Sequence, residues 1–143
     1  MIFAQFIIPG TPLPKERPRF STKSGAPRTY TTAKTRNYET VVANYAKQGM
    51  KRNDPFTGPV AVDMCVFMPI PPSWSKKDRV DALAGIKRHT KHPDVDNLAK
   101  IILDACNKVC YKDDSQVWRL TISKCYSDNP RVDVMMQTME GCR

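Results

Sequence analysis

The sequence predicts one small α+β domain, with a mixed or antiparallel sheet and two main helices packed on it. Its 143 residues are enough for a single domain with a modest core of its own. The spacing of the apolar residues is strand-like in some segments and helix-like in others. It predicts the order strand, helix, strand, long basic loop, helix, strand, strand. We see no internal repeat, so residues 1–143 are treated as one domain.

The first part of the chain predicts a strand, an irregular arm and a helix. Ile2 to Ile8 is β-branched and aromatic, which predicts a strand that Pro9 and Gly10 end. Residues 11–31 are rich in Pro, Gly, Ser and Thr, and predict a basic irregular arm or hairpin. From Thr32 to about Met50, apolar side chains recur at helical spacing, which predicts the first main helix.

The middle of the chain predicts a second strand, a long loop and the second main helix. Val60 to Met68 is apolar and β-branched, and prolines follow it directly. Residues 71–92 form a basic loop, within which residues 76–86 predict a short helix. The main helix begins at Asp94 and extends to about Val109, with its apolar residues on one buried face: Leu98, Ile101, Ile102, Ala105 and Val109.

Two further strands complete the predicted sheet. Residues 116–126 and 131–139 both have strand-like composition. The segment between them, Ser127 to Pro130, has the residues of a tight turn. We therefore expect these two strands to form an antiparallel hairpin.

The charge balance predicts a polyanionic partner, with nucleic acid as the first candidate. The chain has 23 Lys and Arg against 14 Asp and Glu, a net charge of +9. A basic non-catalytic protein would share this charge, so charge alone does not indicate an enzyme. The predicted phosphate contacts lie in the basic loop and in the arm, at Lys76, Lys77, Arg79, Lys87, Arg88, Lys91, Arg17 and Arg19.

The cysteines and the hydropathy pattern indicate a cytoplasmic protein. The five cysteines are odd in number and include no C-x-x-C pair, which argues for reduced thiols rather than a disulfide framework. No targeting segment is visible, and no window approaches the roughly 20 apolar residues that a membrane span needs. We expect no membrane association.

A cluster of acidic residues stands out in this basic chain, and it has an ordinary structural explanation. Asp94 follows Pro93 and is suited to cap the helix by accepting from the backbone N–H of Asn97. Asp96, Lys100 and Asp104 are four residues apart and suit an exposed ion-pair ladder. The pair Asp113-Asp114 suits a turn before a strand. Taken alone, the D-x-D-N pattern favours this explanation.

The same residues also have the chemistry of a metal-dependent nuclease. Mg²⁺ prefers oxygen ligands and keeps several waters, so two or three carboxylates and a phosphate oxygen complete a site. Asp94 and Asp96 flank a helix start, and Asp114 lies near the start of the next strand. Lys100, one turn beyond Asp96, would neutralise charge on the scissile phosphate or orient the attacking water.

The motifs resemble those of the RusA family of Holliday junction resolvases. The segments that carry the resemblance are D-V-D-N-L-A-K at residues 94–100, D-A at 104–105 and D-D-S-Q-V at 113–117. The family pattern is close to D-x-D-N-x-x-K-x-x-x-D-A-L, followed by D-D-x-Q-V. The proline-bounded basic segment 68–77 is also similar, so the resemblance covers the whole chain, most weakly in the arm. Cys106 stands where the family usually has leucine, a change on the buried face.

The resemblance implies a role for each residue of the acidic cluster, and it favours metal binding over helix capping for Asp94 and Asp96. It implies that Asp94, Asp96 and Asp114 bind the metal and are essential for catalysis, and that Lys100 is the catalytic lysine. The metal is expected to be Mg²⁺, with Mn²⁺ as the alternative. The resemblance also implies a homodimer whose partner is branched DNA, a four-way junction, cut symmetrically during recombination and repair. Asp104 and Asn97 are expected to be structural, with Asp113 the less certain partner of its pair.

Two alternatives stay open from the sequence. One is a non-catalytic basic nucleic-acid-binding protein in which the acids only cap and bridge. The other is a nuclease that prefers flaps or other branched DNA. Near the acids, we expect Trp74 to pack on the sheet edge, with base stacking as its alternative, and His89 and His92 to be solvated loop residues.

Overall fold

The computed structural model describes residues 2–16, 19–21, 28–30 and 32–139. For Ile2 and for residues 19–21 and 28–30 it describes the backbone alone. Two predicted phosphate contacts therefore fall outside the described side chains: Arg17 lies outside the described residues altogether, and Arg19 is described only in its backbone.

The described chain follows the predicted order of elements. Its strands are β1 (Ile2–Pro9), β2 (Arg19–Ser21), β3 (Arg28–Tyr30), β4 (Val60–Pro69), β5 (Val117–Ser127) and β6 (Arg131–Thr138). Its helices are α1 (Ala33–Met50), α2 (Lys76–Leu83), α3 (Val95–Ala105) and a short 3₁₀ helix (Asp114–Gln116).

Four strands form one mixed sheet in the order β1-β6-β4-β5. β6 pairs antiparallel with both β1 and β4, and β4 pairs in parallel with β5. The short strands β2 and β3 pair with each other, apart from this sheet. The predicted α+β class with a mixed sheet is therefore confirmed.

The predicted hairpin between the last two strands is wrong, because β4 lies between them. β4 has the most deeply buried alternation in the sheet, with Val60, Val62, Met64 and Val66 almost inaccessible to solvent. Such a strand belongs in the interior of a sheet, whereas only one of the 11 residues of β5 is buried, which suits an edge. The turn at 128–130 therefore carries the chain across the end of β4, over about 10 Å, which is two strand spacings.

The helices pack on one side of the sheet, where α1 contacts β1 and α3. The Thr32 hydroxyl caps α1 by accepting from the backbone N–H of Thr35, at 3.3 Å. The predicted buried face of α3 is confirmed for Leu98, Ile101, Ile102 and Ala105. Among the described helices, none has both the length and the apolar composition required to cross a membrane.

α3 ends at Ala105, four residues before the predicted end near Val109. The backbone of Lys108 is left-handed, with φ of 67°, and this conformation cannot continue a helix. The segment 106–111 instead forms a compact turn in which the N–H of Lys108 donates to the carbonyl of Tyr111, at 2.6 Å. Cys106, Cys110 and Tyr111 are fully buried beneath this turn, which explains why the apolar pattern extends past the helix.

Candidate active site

The start of α3 is tied to the edge strand β5 by a single lysine. The ammonium of Lys124 donates to the carbonyls of Lys91 and Pro93, at 2.8 and 2.9 Å. These bonds hold the segment that leads into Asp94. Lys124 was not among the site residues predicted from the sequence. Its position between Ile122 and Tyr126 in the strand alternation is the signal that points it towards the helices.

Asp94 occupies the N-cap position of α3, as predicted, but the predicted capping hydrogen bond is absent. Its backbone is extended, with φ of −75° and ψ of 151°, yet its side chain makes no cap hydrogen bond. One carboxylate oxygen lies 3.2 Å from Nδ1 of His92, and the side chain is 57% exposed. The carboxylate of Asp94 is therefore open to a cation rather than used to stabilise the helix.

The exposed face of α3 carries an incomplete version of the predicted ion-pair ladder. The ammonium of Lys100 lies 3.7 Å from a carboxylate oxygen of Asp104. Between Asp96 and Lys100, both of which lie in the described part of the chain, the structure shows no ion pair. Asp96 is exposed and its carboxylate faces solvent. Lys100, one turn further along the helix, lies beside Asp104 instead.

A second lysine, Lys15, also reaches Asp104. It lies within the basic arm that the sequence predicts at residues 11–31. The ammonium of Lys15 bonds to Glu39 on α1 and lies 3.4 Å from Asp104 on α3, while its backbone N–H donates to the carbonyl of Asn97 at 3.0 Å. Burial favours the neutral amine, but the hydrogen bonds and charges of Glu39 and Asp104 outweigh it and raise the pKa of Lys15. Asp104 thus joins Lys15 and Lys100, which fits its expected structural role.

The two neighbouring acids after α3 have different surroundings. Asp113 caps the 3₁₀ helix and accepts from the N–H of Ser115 at 3.0 Å. Hydrogen bonding from Ser115, first from its side chain and then from its backbone, lowers the pKa of the Asp113 carboxyl. Asp114 is the first residue of that helix and is half-buried. Within the described residues, its side chain makes no hydrogen bond or ion pair. Of the pair, Asp114 therefore has the carboxylate that remains available to a cation.

Gln116 holds this acidic segment against the rest of the domain. Its side-chain oxygen accepts from the N–H groups of Lys112 and Asp113, at 2.9 and 3.2 Å. Its side-chain nitrogen donates to the carbonyls of Phe56 and Gly58, at 2.8 and 3.1 Å. One amide therefore fixes the backbone on both sides of Asp114. In the sequence it was visible only as the glutamine of the D-D-S-Q-V motif.

Replacing Gln116 with alanine should destabilise the fold and displace Asp114. The substitution leaves half-buried backbone groups without partners, which costs about 2 kcal/mol. A thermal or urea melt would measure this destabilisation. Gln116→Glu keeps the acceptor but loses the donor to Phe56 and Gly58, so it should fall between wild type and alanine. An alanine variant as stable as the wild type would contradict this role.

The acidic residues lie towards both ends of α3. The Tyr111 hydroxyl donates to the carbonyl of Leu103 at 2.7 Å. Its pKa is raised, first by burial, then by the charges of Cys106, Cys110, Asp114 and Asp104. Asp114 and Asp104 are thus both within electrostatic reach of one hydroxyl near the C-terminal end of α3, and Asp94 and Asp96 lie at its N-terminal end. A helix of this length spans about 16 Å.

The donor chemistry of these acids fits a hard cation. In the described ranges of the chain, no three His, Cys, Asp or Glu side chains are grouped so that they could hold a metal ion. Mg²⁺ does not need such a group, because it commonly binds through one or two carboxylates, retained waters and substrate phosphate. Asp94, Asp96 and Asp114 provide carboxylate oxygens that no capping hydrogen bond occupies.

The six cations predicted for the basic loop divide into two groups. Arg79 pairs with Asp128 at 2.9 Å, and Lys87 lies 3.6 Å from Asp78 and 4.2 Å from the ring centre of Trp74. The other four have exposed side chains that form no ion pair within the described residues: Lys76, Lys77, Arg88 and Lys91.

Aromatic packing anchors the basic loop to the edge strand. The rings of Trp74 and Tyr126 meet edge to face with centres 5.0 Å apart, which confirms that Trp74 packs on the sheet edge. The prediction that His89 is solvated is wrong, because its ring packs against Tyr126 and is half-buried. Burial, followed by the charges of Lys124 and Lys91, lowers the pKa of His89. His92 is exposed, as predicted.

A basic chain with carboxylates at the start of one helix and in the segment after it is suited to a nuclease, and the comparisons with known proteins agree. The family model described as endodeoxyribonuclease RusA matches residues 9–137. The chain therefore belongs to the RusA endodeoxyribonuclease family, which confirms the resemblance and implies an enzyme that cleaves DNA internally. The uncharacterized protein YqaN of Bacillus subtilis (strain 168) is 42% identical over 139 residues, covering 96% of this chain and 97% of YqaN.

Proposed function

We propose that this protein is a Mg²⁺-dependent endodeoxyribonuclease that resolves four-way DNA junctions by paired phosphodiester hydrolysis, in recombination and repair. Membership of the RusA family supports DNA cleavage and suggests junction resolution. The observation that carries the metal-dependent chemistry is the carboxylate of Asp94, which occupies a cap position without capping. A net charge of +9 suits a DNA substrate. A cytoplasmic location follows from that substrate.

The proposed metal ligands are Asp94, Asp96 and Asp114, with Mg²⁺ as the metal and Mn²⁺ as the alternative. Asp94 and Asp96 lie at one end of α3 and Asp114 follows its other end, so a bound ion would be held by one or two of these carboxylates together with retained waters and substrate phosphate. It would supply positive charge at the scissile phosphate and an activated water. The protein contributes carboxylates on a backbone that hydrogen bonds fix in place. Lys124 bonds to the segment before Asp94, and Gln116 bonds to the segment around Asp114. Positioning of this kind lowers the cost of ordering the substrate.

Lys100 is the proposed catalytic lysine. Its side chain is 61% exposed, so the ammonium can reach a bound phosphate, and a carboxylate oxygen of Asp104 lies 3.7 Å from that ammonium. Lys15 bonds to the same carboxylate and to Glu39, which keeps Asp104 in place. A fixed cation near the phosphate stabilises the negative charge that develops in the transition state.

The proposed DNA contacts are the cations of the basic loop and of the arm. Lys76, Lys77, Arg88 and Lys91 are free to bind phosphates directly. Arg79 and Lys87 would first have to leave their internal partners. Arg17 and Arg19 extend the same proposal to the arm.

We further propose that the active form is a homodimer. Resolution of a four-way junction requires two symmetric cuts, and a two-fold dimer offers two equivalent sites. The mass of the protein in solution, measured by light scattering, would test this part independently of cleavage.

Cleavage of a synthetic four-way junction tests the proposed function. With Mg²⁺ the protein should introduce paired nicks at symmetric positions on opposite strands, and with EDTA it should bind without cutting. A flapped duplex and a linear duplex of the same sequence are the matched substrates. Faster cleavage of the flap would favour a nuclease for other branched DNA, and binding without cleavage in any metal would favour a non-catalytic DNA-binding protein.

A further inference from the structure

A second basic surface lies outside the loop that the sequence analysis predicted. The C-terminal end of α1 and the turn after α3 enclose an open groove of about 290 Å³. Three cations line it, Lys47, Arg52 and Lys108, beside apolar side chains of Met50 and Val109. Lys51 lies next to Arg52 in the same turn. We call this surface, with Lys47, Lys51, Arg52 and Lys108, the α1–α3 groove.

Three of the four cations have an unfavourable backbone. Lys51, Arg52 and Lys108 have φ of 53°, 66° and 67°, and they are all the non-glycine residues with positive φ in the described part of the chain. Glycine or asparagine is the usual residue at such positions, because any other side chain is strained there. The turns themselves therefore do not explain why all three residues are Lys or Arg. Strain of this kind is typical of functional positions.

The charged groups of these side chains have no partner side chain in the described part of the chain. Lys47, Lys51, Arg52 and Lys108 are exposed, and none forms a side-chain hydrogen bond or ion pair with another described residue. Cations after a helix C-terminus do interact favourably with the helix dipole. That interaction does not require a left-handed backbone, so it does not account for the strain.

One backbone hydrogen bond joins the two sides of the groove, and one further bond fixes the turn on each side. The N–H of Phe56 donates to the carbonyl of Cys110 at 2.7 Å, and the N–H of Asn53 donates to the carbonyl of Met50 at 2.9 Å. The N–H of Lys108 is bonded to the carbonyl of Tyr111. The cations are thus presented on a fixed backbone, which reduces the entropy cost when a ligand binds.

We propose that the α1–α3 groove binds the phosphate backbone of one duplex arm of the DNA substrate. The proposal rests on the proposed function only in taking DNA as the partner. An open groove with exposed cations suits a polymer of phosphates, whereas a small anion is usually enclosed. The turn that carries Lys108 follows the C-terminal end of α3 and leads to Asp114, so the groove lies at the end of α3 away from Asp94 and Asp96. The groove is thus a second anchor, apart from the loop at residues 71–92.

The left-handed backbone allows a test in which stability and binding change in different directions. The triple substitution Lys51→Gly, Arg52→Gly, Lys108→Gly removes three charges and also relieves the strain. We expect its thermal midpoint to equal or exceed that of the wild type. Binding to a fluorescent four-way junction, measured in EDTA across a series of NaCl concentrations, should weaken. The slope of log K against log salt should fall by roughly 0.9 for each phosphate that the variant no longer neutralises.

A charge-preserving triple, Lys51→Arg, Arg52→Lys, Lys108→Arg, is the matched control and should keep the wild-type slope. If the glycine triple folds and its slope is unchanged, the proposal is wrong, and the three residues serve only their turns. If the glycine triple does not fold, asparagine at the same positions provides the same test, since it also tolerates the left-handed region.

The outcome separates this proposal from the proposed function. Binding in EDTA does not depend on cleavage, so a wild-type protein that binds through the groove but never cuts DNA would support the groove and contradict the nuclease. If the wild-type protein cleaves the junction and the glycine triple keeps the wild-type salt slope, the nuclease is supported and the groove is contradicted.

Discussion

Asparagine in place of Asp94, Asp96 or Asp114 should abolish junction cleavage and leave junction binding intact or tighter. Each substitution removes a proposed metal ligand and also a negative charge that repels phosphate. The three acids make no capping hydrogen bond in the structure, so the folded state should lose little stability. Single-turnover cleavage in Mg²⁺ and binding in EDTA, measured on the same junction, would separate the two effects.

Asp113 provides the matched control for this prediction. It neighbours Asp114, but its carboxylate is occupied by the N–H of Ser115. Asparagine caps helices about as well as aspartate, so Asp113→Asn should cut at close to the wild-type rate. Retained cleavage in Asp94→Asn, Asp96→Asn or Asp114→Asn would remove that residue from the metal site. Loss of junction binding in all three would mean that the acids act structurally.

Replacing Lys100 with alanine should slow cleavage by about 100-fold or more, the scale observed when a donor to transition-state charge is removed. Among the residues that the structure describes, Lys100 pairs only with Asp104, through a surface i,i+4 contact that contributes about 0.3–0.5 kcal/mol. Stability should therefore change little, while the rate falls. Arginine should restore little activity, because its planar guanidinium does not replace a compact ammonium.

The measurement is the single-turnover rate of Lys100→Ala on a four-way junction, compared with its thermal melt. Lys34→Ala, a change at another exposed lysine, near the start of α1 and outside the proposed site, is the control for general loss of positive charge. A wild-type rate in Lys100→Ala would show that this lysine is only a surface ion-pair partner. A large fall in the melting temperature would show that the slower rate reflects unfolding.

Local sequence patterns predicted the elements well and their pairing less well. The apolar face of α3 and the strands β1, β4, β5 and β6 follow from spacing that operates within a few residues. The pairing of β4 between β5 and β6 depends on burial across the whole sheet. The short turn at 128–130 suggested a hairpin. Turn residues predict that the chain reverses direction, but they do not predict which strands pair with each other.

The proposed site shows the same division. Asp94, Asp96, Lys100 and Asp114 were visible in the sequence because they lie in short motifs. The roles of the residues that hold them could not be predicted, since each acts across a long separation in the chain. Gln116 bonds to a carbonyl 60 residues away, and Lys124 to one 31 residues away. Lys15 meets Glu39 and Asp104 only after the arm, α1 and α3 have packed.

The length of the edge strand β5 sets the distance between the two acidic segments. Gln116, directly before the strand, fixes the segment that contains Asp114, and Lys124, within it, fixes the segment that leads to Asp94. A deletion of two residues between them would preserve which side chains face the helices but would shift one anchor by about 7 Å relative to the other. The strand can therefore change much of its sequence during evolution, but its length between the two anchors is constrained.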